Sequence, residues 1–175
     1  MINIAPGFGR AAVMSFSSEA NLRISFNECT SMECFAAELD SLHHGRGGTD
    51  IPSALNFALQ QIFELSDQHQ MGTKSKRFAV LITDGADSPG RPTLDSEYDE
   101  ISRKFNENDI TIITVGIGEV DEKHLIVLSG EEDFFHPDAF HNLTERFSKD
   151  IANEICQGMN SSFISRFIKS WIINC

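Results

Sequence analysis

Short apolar runs alternate with longer amphipathic segments along this chain. The apolar runs predict strands, and the helical spacing of hydrophobic residues in the longer segments predicts helices between them. Strands are predicted by the apolar runs at residues 11–17, 22–26, 78–83, 110–116 and 133–135. Helices are predicted by apolar residues at helical spacing over 31–42, 51–65, 95–107, 121–128 and 138–156. Because strands that alternate with helices form parallel sheets with crossover connections, we expect an α/β doubly wound fold with helices on both faces.

The first two predicted strands differ from the others in the length of their connection. Only the short polar stretch 18–21 joins them. A parallel connection needs a dozen or more residues, whereas an antiparallel hairpin needs very few. We therefore expect this pair to be antiparallel within an otherwise parallel sheet.

Composition and charge narrow the possible partners. The 175 residues are 41% hydrophobic and 23% charged, which is typical of one soluble globular domain with a core of its own. A formal net charge of −12 argues against nucleic acid or an anionic membrane as partner. The most apolar late stretch, 163–173, is too short for a membrane span and contains Arg166 and Lys169. The N-terminus does not have the pattern of a signal peptide.

Two loops at the expected carboxyl edge of the sheet carry candidate ligands. Ligands of doubly wound sheets bind outside the carboxyl ends of the strands. Residues 45–50 lead into the second helix, and Asp84 follows a central strand. The Thr49 hydroxyl and the Asp84 carboxylate are hard oxygen ligands that suit Mg²⁺, Mn²⁺ or Ca²⁺. Two plainer interpretations stay open: Thr49 or Asp50 caps the helix, and Asp84 with its glycine forms a turn.

Three segments, in this order, resemble the von Willebrand factor type A domain. They are Gly47-Gly-Thr-Asp-Ile-Pro-Ser-Ala-Leu55, Val80-Leu-Ile-Thr-Asp-Gly85 and Ile112-Ile-Thr-Val-Gly-Ile-Gly118. The opening from Pro6 to Ser18 is similar to the family's second strand and its run-in. The resemblance covers Pro6 to about Cys156. It implies a mostly parallel sheet wrapped by helices, with one antiparallel edge strand.

The resemblance also implies a function. Members of the family carry a metal-ion-dependent adhesion site that binds Mg²⁺ or a similar cation, which in turn accepts an acidic side chain of a protein partner. Thr49 matches the family's metal-site threonine, and Asp84 matches its metal-site aspartate. The chain is therefore expected to be a non-enzymatic adhesion module outside the cell, with collagen or another matrix protein as candidate ligand. An intracellular scaffold of the same family in a multiprotein complex is the alternative. The lack of a signal peptide favours it, but a truncated sequence explains that lack equally well.

The chain departs from the family at its beginning. The Asp-x-Ser-x-Ser motif that supplies the first metal ligands does not occur in it, and the family's first strand, which lies between the strands matching 11–17 and 78–83, is missing. The sequence thus predicts a truncated domain over 1–157 and a non-family tail over 158–175, a badly packed extension. Cation binding is expected to be weak or absent, since divalent ions prefer six or more oxygens.

The missing strand leads to an expectation about stability. The two flanking strands would either close up against each other, with repacking of the helices on both faces, or leave a gap lined by Val13, Phe16, Val80 and Ile82. Because dense cores tolerate volume loss poorly and open strand edges aggregate, the sequence predicts a largely insoluble or molten chain.

Cysteines and glycosylation motifs bear on the compartment. The four cysteines contain no zinc-type Cys-x-x-Cys pair, and their redox state is open from the sequence. Cys156 lies at the end of the last family helix, where the resemblance implies a disulfide to a cysteine before the first strand. Asn142 and Asn160 begin Asn-x-Ser/Thr motifs, which weakly favour an extracellular protein.

Overall fold

A computed structural model describes residues 9–42, 47–64, 76–88, 94–137, 149 and 169–174. The strands are β1 (Ala11–Phe16), β2 (Ala20–Ile24), β3 (Arg77–Thr83), β4 (Ile110–Gly116), β5 (Phe134–Phe135) and β6 (Lys169–Asn174). The helices are α1 (Met32–Asp40), α2 (Ile51–Ala58, continued by a π-helical segment over Leu59–Glu64), α3 (Asp95–Glu107) and α4 (Glu122–Ser129).

The six strands form one sheet in the order β2-β1-β6-β3-β4-β5. β2 pairs antiparallel with β1 at one edge, and every other neighbouring pair is parallel. The expected α/β class with one antiparallel edge strand is therefore confirmed. Val80 in β3 and Ile113 in β4 are fully buried, as their continuous apolar runs predict.

The sheet buries both of its faces. Successive residues of β1 point to opposite faces, so the strand contributes to two cores. One core contains Ala11, Val13, Ile24, Cys29 and, from α1, Phe35. The larger core, which includes residues of α2, α3 and α4, contains Ala12, Met14, Phe16, Leu55, Phe63, Leu81, Tyr98, Phe105 and Leu125, among others. Because the second core packs three helices against the centre of the sheet, it fixes where their ends meet the sheet edge.

β6 fills the place between β1 and β3. It pairs in parallel with both neighbours, and position 171 lies in register with Val13 on one side and Val80 on the other. The expected gap in the sheet is therefore wrong, because residues from the C-terminal end of the chain take the place of the missing strand. Val13 and Val80 are 0% exposed. Within the tail, the described residues 169–174 thus form a strand of the sheet, while a domain boundary at residue 157 stays a prediction.

Two helix ends have the caps that their sequence indicates. The Ser31 hydroxyl accepts a hydrogen bond from the Cys34 amide at 3.2 Å at the start of α1. The Asp50 carboxylate accepts from the Ser53 amide at 3.0 Å at the start of α2. Of the two residues that could cap α2, Asp50 does so, and Thr49 stays in the preceding loop.

A disulfide joins Cys29 to Cys34, with an S–S distance of 2.12 Å. It ties the loop after β2 to the first turn of α1, a pairing that the sequence left open. Several predictions fall outside the described residues: most of the helix 138–156, the motifs at Asn142 and Asn160, and Cys156. Among the helices that the structure describes, none is both long and apolar enough to cross a membrane.

Candidate functional site: the Thr49 and Asp84 loops

The parallel strands end at the same edge of the sheet, and the two predicted site residues lie on loops at that edge. Asp84 directly follows β3 and is exposed, and Thr49 is half-buried two residues before α2. A Cβ atom built on Gly85 would lie 3.8 Å from the Thr49 Oγ1 atom. The structure thus brings together two loops that are 35 residues apart in sequence.

Residues 87 and 88 hold the Thr49 loop. The Ser88 hydroxyl accepts a hydrogen bond from the Thr49 amide at 2.8 Å, and the Ser88 amide donates to the Thr49 carbonyl at 3.0 Å. The Asp87 Oδ1 atom accepts from the Ile51 amide at 2.8 Å. Three hydrogen bonds therefore fasten the beginning of α2 to the loop that carries Asp84.

The end of β1 supplies further hydroxyl groups to this edge. The Ser18 hydroxyl accepts a hydrogen bond from the Gly48 amide at 2.9 Å. A Cβ atom on Gly47 would lie 3.0 Å from the Ser17 Oγ atom, so the glycine backbone approaches both serines closely. Side-chain oxygens from two other loops, the one after β1 and the one after β3, thus lie beside residues 47–49.

Thr83 fixes the backbone on either side of Asp84. Its hydroxyl bonds to the Gly85 carbonyl at 2.9 Å, and its carbonyl accepts from the Ile117 amide at 2.9 Å. Thr83 is buried, 1% exposed, whereas Asp84 is exposed. A buried residue therefore fixes the backbone beside a carboxylate that is open to solvent.

Tyr98 of α3 orients Asp87. Its hydroxyl donates to the Asp87 Oδ2 atom at 2.8 Å, and the residue is 1% exposed. Burial, and after it the charge of Asp87, raise the pKa of Tyr98 well above its usual range, so the phenol stays protonated and able to donate. The ring stacks on the imidazole of His124, with centroids 4.2 Å apart and planes 3° from parallel.

Two carboxylates hold the His124 ring of α4. Its Nε2 atom lies 2.8 Å from the Asp95 Oδ1 atom, and its Nδ1 atom lies 3.0 Å from the Asp121 Oδ2 atom. Lys123 also forms an ion pair with Asp95. The hydrogen bond from Lys123, followed by that from His124, lowers the pKa of Asp95. A series of hydrogen bonds and one ring-stacking contact therefore runs from the start of α2 through Tyr98 to α4.

The predicted ligands at this edge are oxygen atoms of the type that binds a hard divalent cation, but they are fewer than such a cation prefers. Thr49 and Asp84 offer one hydroxyl and one carboxylate, whereas such ions prefer six or more oxygens. Across the described ranges, no three His, Cys, Asp or Glu side chains come together in a group able to hold a metal. The expectation that this site binds a cation weakly or not at all stays a prediction.

The sequence did not indicate the roles of Asp87, Ser88 or Tyr98. A partial signal was available, because Asp87 is a second acid three residues after Asp84 in a loop that leaves a buried strand. Its two hydrogen-bond partners come from different helices and could not be recognised from local sequence.

Gly48 should tolerate no side chain. A Cβ atom there would clash with the Ser88 side chain, which holds Thr49. We expect Gly48→Ala to lower the free energy of unfolding by about 1–3 kcal/mol, the usual cost of overpacking, as measured by urea denaturation. Gly85→Ala is the matched control, since its Cβ would meet only the Thr49 Oγ1 atom at ordinary contact distance. Equal stabilities of the two variants would contradict the close approach of these loops.

Sequence relatives were found among extracellular matrix proteins. The human collagen alpha-6(VI) chain is 25% identical over 158 residues, which cover 90% of this chain and 6% of that protein. Human vitrin is 23% identical over 158 residues, which cover 87% of this chain and 21% of vitrin. The chain thus spans a small part of the length of these relatives.

Solved structures share the fold. Proximal thread matrix protein 1 from the mussel byssus superposes with a TM-score of 0.73 at 19% identity, covering 87% of this chain and 36% of that chain. One structure of that protein has a zinc-occupied metal-ion-dependent adhesion site. The manganese-loaded TRAP protein of Plasmodium vivax gives a TM-score of 0.61 at 17% identity, covering 93% of this chain and 60% of that chain.

The chain also matches the sequence model of a protein family. The model of the von Willebrand factor type A domain matches residues 1–149, which include β1 to β5 and both loops of the candidate site. This match shows that the chain belongs to the von Willebrand factor type A domain family.

Proposed function

We propose that this domain is a non-enzymatic adhesion module that binds a protein ligand through the Thr49 and Asp84 loops. The observation that carries the proposal is the meeting of these loops at the carboxyl edge of the sheet, with an exposed carboxylate on one and a hydroxyl on the other. Ligands of doubly wound sheets bind at this edge. Collagen or another matrix protein is the candidate ligand.

The proposed location is extracellular. The sequence relatives include a collagen VI chain and vitrin, which are extracellular matrix proteins. The disulfide between Cys29 and Cys34 independently supports an oxidising compartment, because cytosolic thiols are kept reduced. These two observations favour a matrix module over an intracellular scaffold.

The proposed cation is Mg²⁺ or a similar hard divalent ion, held weakly. Thr49 and Asp84 would be its side-chain ligands, and the ion would offer a site for an acidic group of the partner. The protein's own part is to hold the two loops at a fixed spacing, through Ser88 and Asp87.

Weak cation binding is the expected result of a direct titration. Calorimetry with Mg²⁺ should give a dissociation constant in the range of about 10⁻³ M or weaker, because one carboxylate and one hydroxyl replace little of the ion's hydration shell. Asp84→Ala should abolish the remaining heat. Micromolar binding that disappears in Asp84→Ala would show that the ligand set is complete.

Ligand binding is tested on immobilised collagen and on other matrix proteins, with Mg²⁺ in the buffer. The wild-type domain should be retained on at least one of them, and Asp84→Ala and Thr49→Ala should reduce retention at least about tenfold, as loss of a central interface contact does. Ser129→Ala, on α4 away from the site, is the control. Retention that is equal in all four proteins would place the ligand on another surface.

A further inference from the structure

Asp87 connects the candidate site to α3 through both of its carboxylate oxygens. The Oδ1 atom accepts from the Ile51 amide, and the Oδ2 atom accepts from the Tyr98 hydroxyl, each at 2.8 Å. Asp87 is half-buried and Tyr98 is fully buried. The carboxylate is thus held at two points, one on each of two helices.

The contact with Ile51 gives α2 a second cap from outside the helix. The first amides of a helix have no acceptor within it, and Asp50 already serves the Ser53 amide. The Ile51 amide is therefore free to donate to Asp87, and the helix dipole favours an anion at this end. Since Ile51 is two residues after Thr49, this bond acts together with the two hydrogen bonds between Ser88 and Thr49 to hold Thr49 beside the loop of residues 84–88.

The contact with Tyr98 fixes the direction of the carboxylate. The phenol has little freedom, because its ring lies in the core and stacks on His124. His124 is in turn held by Asp95 and Asp121. The orientation of Asp87 is therefore set by the packing of α3 against α4.

We propose that Asp87 and Tyr98 are positioning residues of the adhesion site: the Tyr98 hydroxyl orients the Asp87 carboxylate, which holds the Thr49 loop at binding distance from Asp84. This inference rests on the proposed function and adds the pair Asp87 and Tyr98 to Ser88 as residues that hold the two loops together. Asp87 acts through the Ile51 amide and not by contact with the ligand.

Three substitutions distinguish the positioning effect of Asp87 from the effect of its negative charge. Asp87→Ala removes both hydrogen bonds. Asp87→Asn removes the charge but keeps an oxygen for the Ile51 amide and gains an N–H that donates to the Tyr98 oxygen. Tyr98→Phe keeps the stacked ring and removes only the hydroxyl. Ser129→Ala is the matched control, since it removes a helix hydroxyl that bonds to Thr114 at 2.7 Å in another part of the domain.

Two measurements are made on each variant: hydrogen exchange of the Ile51 amide by NMR, and Mn²⁺ binding from the free-ion signal in electron paramagnetic resonance. We expect Asp87→Ala and Tyr98→Phe to accelerate exchange at Ile51 about tenfold relative to Ser129→Ala and to weaken Mn²⁺ binding about tenfold, the range for residues that orient metal ligands. In Asp87→Asn, both the exchange rate of the Ile51 amide and the affinity for Mn²⁺ should stay within about threefold of wild type.

The outcomes distinguish this inference from the proposed function. If Asp87→Asn weakens Mn²⁺ binding as much as Asp87→Ala, the carboxylate acts by its charge and the inference is overturned. The inference is equally overturned if the Ile51 amide exchanges as slowly in Asp87→Ala and Tyr98→Phe as it does in Ser129→Ala. If no protein, wild type included, binds Mn²⁺, the cation part of the proposed function fails, and exchange at Ile51 alone decides on positioning.

Discussion

A chain that ends at residue 168 should lose its cooperative unfolding transition and aggregate. Removal of β6 leaves β1 and β3 with unpaired backbone groups along facing edges, in the middle of the sheet. The side chains beside the empty place include Val13 and Val80, both 0% exposed in the complete domain. Thermal unfolding followed by circular dichroism, with light scattering as the measure of aggregation, compares the shortened and complete chains.

A single substitution in β6 also tests whether the pairing of this strand stabilises the sheet, without shortening the chain. Position 172 pairs with Met14 on one side and Leu81 on the other. Ile172→Pro removes a ladder donor and should lower the free energy of unfolding by at least about 2 kcal/mol, since an unsatisfied buried carbonyl alone costs about 1–3 kcal/mol. Ile172→Val keeps the donor and is the control. Indistinguishable unfolding curves for the two variants would show that β6 does not pair in the sheet.

Completing the ligand set at the end of β6 should raise the affinity for Mg²⁺ by about 100-fold or more. β6 ends at Asn174, in register with Phe16, and Ile173 pairs with Ile82, two residues before Asp84. In the family the Asp-x-Ser-x-Ser motif follows the strand that has this place in the sheet. Asn174→Asp with Ser-Gly-Ser appended after Cys175 recreates the motif, and one added carboxylate with two hydroxyls brings the ion closer to its preferred oxygen number.

Calorimetry with Mg²⁺ measures this gain, and two controls interpret it. The extension without Asn174→Asp should give a smaller increase, because hydroxyls alone bring no charge. Asp84→Ala in the completed chain should remove most of the gain. A gain that survives Asp84→Ala would mean that the end of β6 and the Asp84 loop do not belong to one site.

The parts of the fold that the sequence predicted are those with strong local patterns. β3 and β4 are continuous apolar runs, and β4 has the predicted bounds 110–116. α3 has the predicted bounds 95–107, and Tyr98, Ile101 and Phe105 are its buried residues at helical spacing. The spacing of hydrophobic residues was sufficient to predict these elements, because the residues that it marks as apolar are the ones that the fold buries.

β6 could not be predicted in the same way. Its apolar segment is short, and its place depends on pairing with β1, more than 150 residues earlier in the chain. The family comparison indicated an empty place in the sheet, but hydrophobic patterning does not say which distant segment fills it. The disulfide between Cys29 and Cys34 was missed for a similar reason, because spacing alone does not give the geometry that a disulfide needs.

The sequence predicted two residues of the candidate site, and their role as ligands stays a prediction. Thr49 and Asp84 were predicted because each lies in a recognisable loop at a strand or helix end. Asp87 and Tyr98, which were not predicted, make hydrogen bonds that connect α2, α3 and the loop after β3. Such contacts depend on how the helices pack on the sheet, which the sequence of any one segment does not contain.

The most direct test of the account is an amide-resolved NMR titration of the wild-type domain with Mg²⁺. If the Thr49 and Asp84 loops form the binding edge, the largest chemical-shift changes should occur at residues 47–50 and 84–88, and Asp84→Ala should remove them. Changes that are largest at another acidic segment, such as residues 131–133, or changes at these loops that persist in Asp84→Ala, would contradict the account.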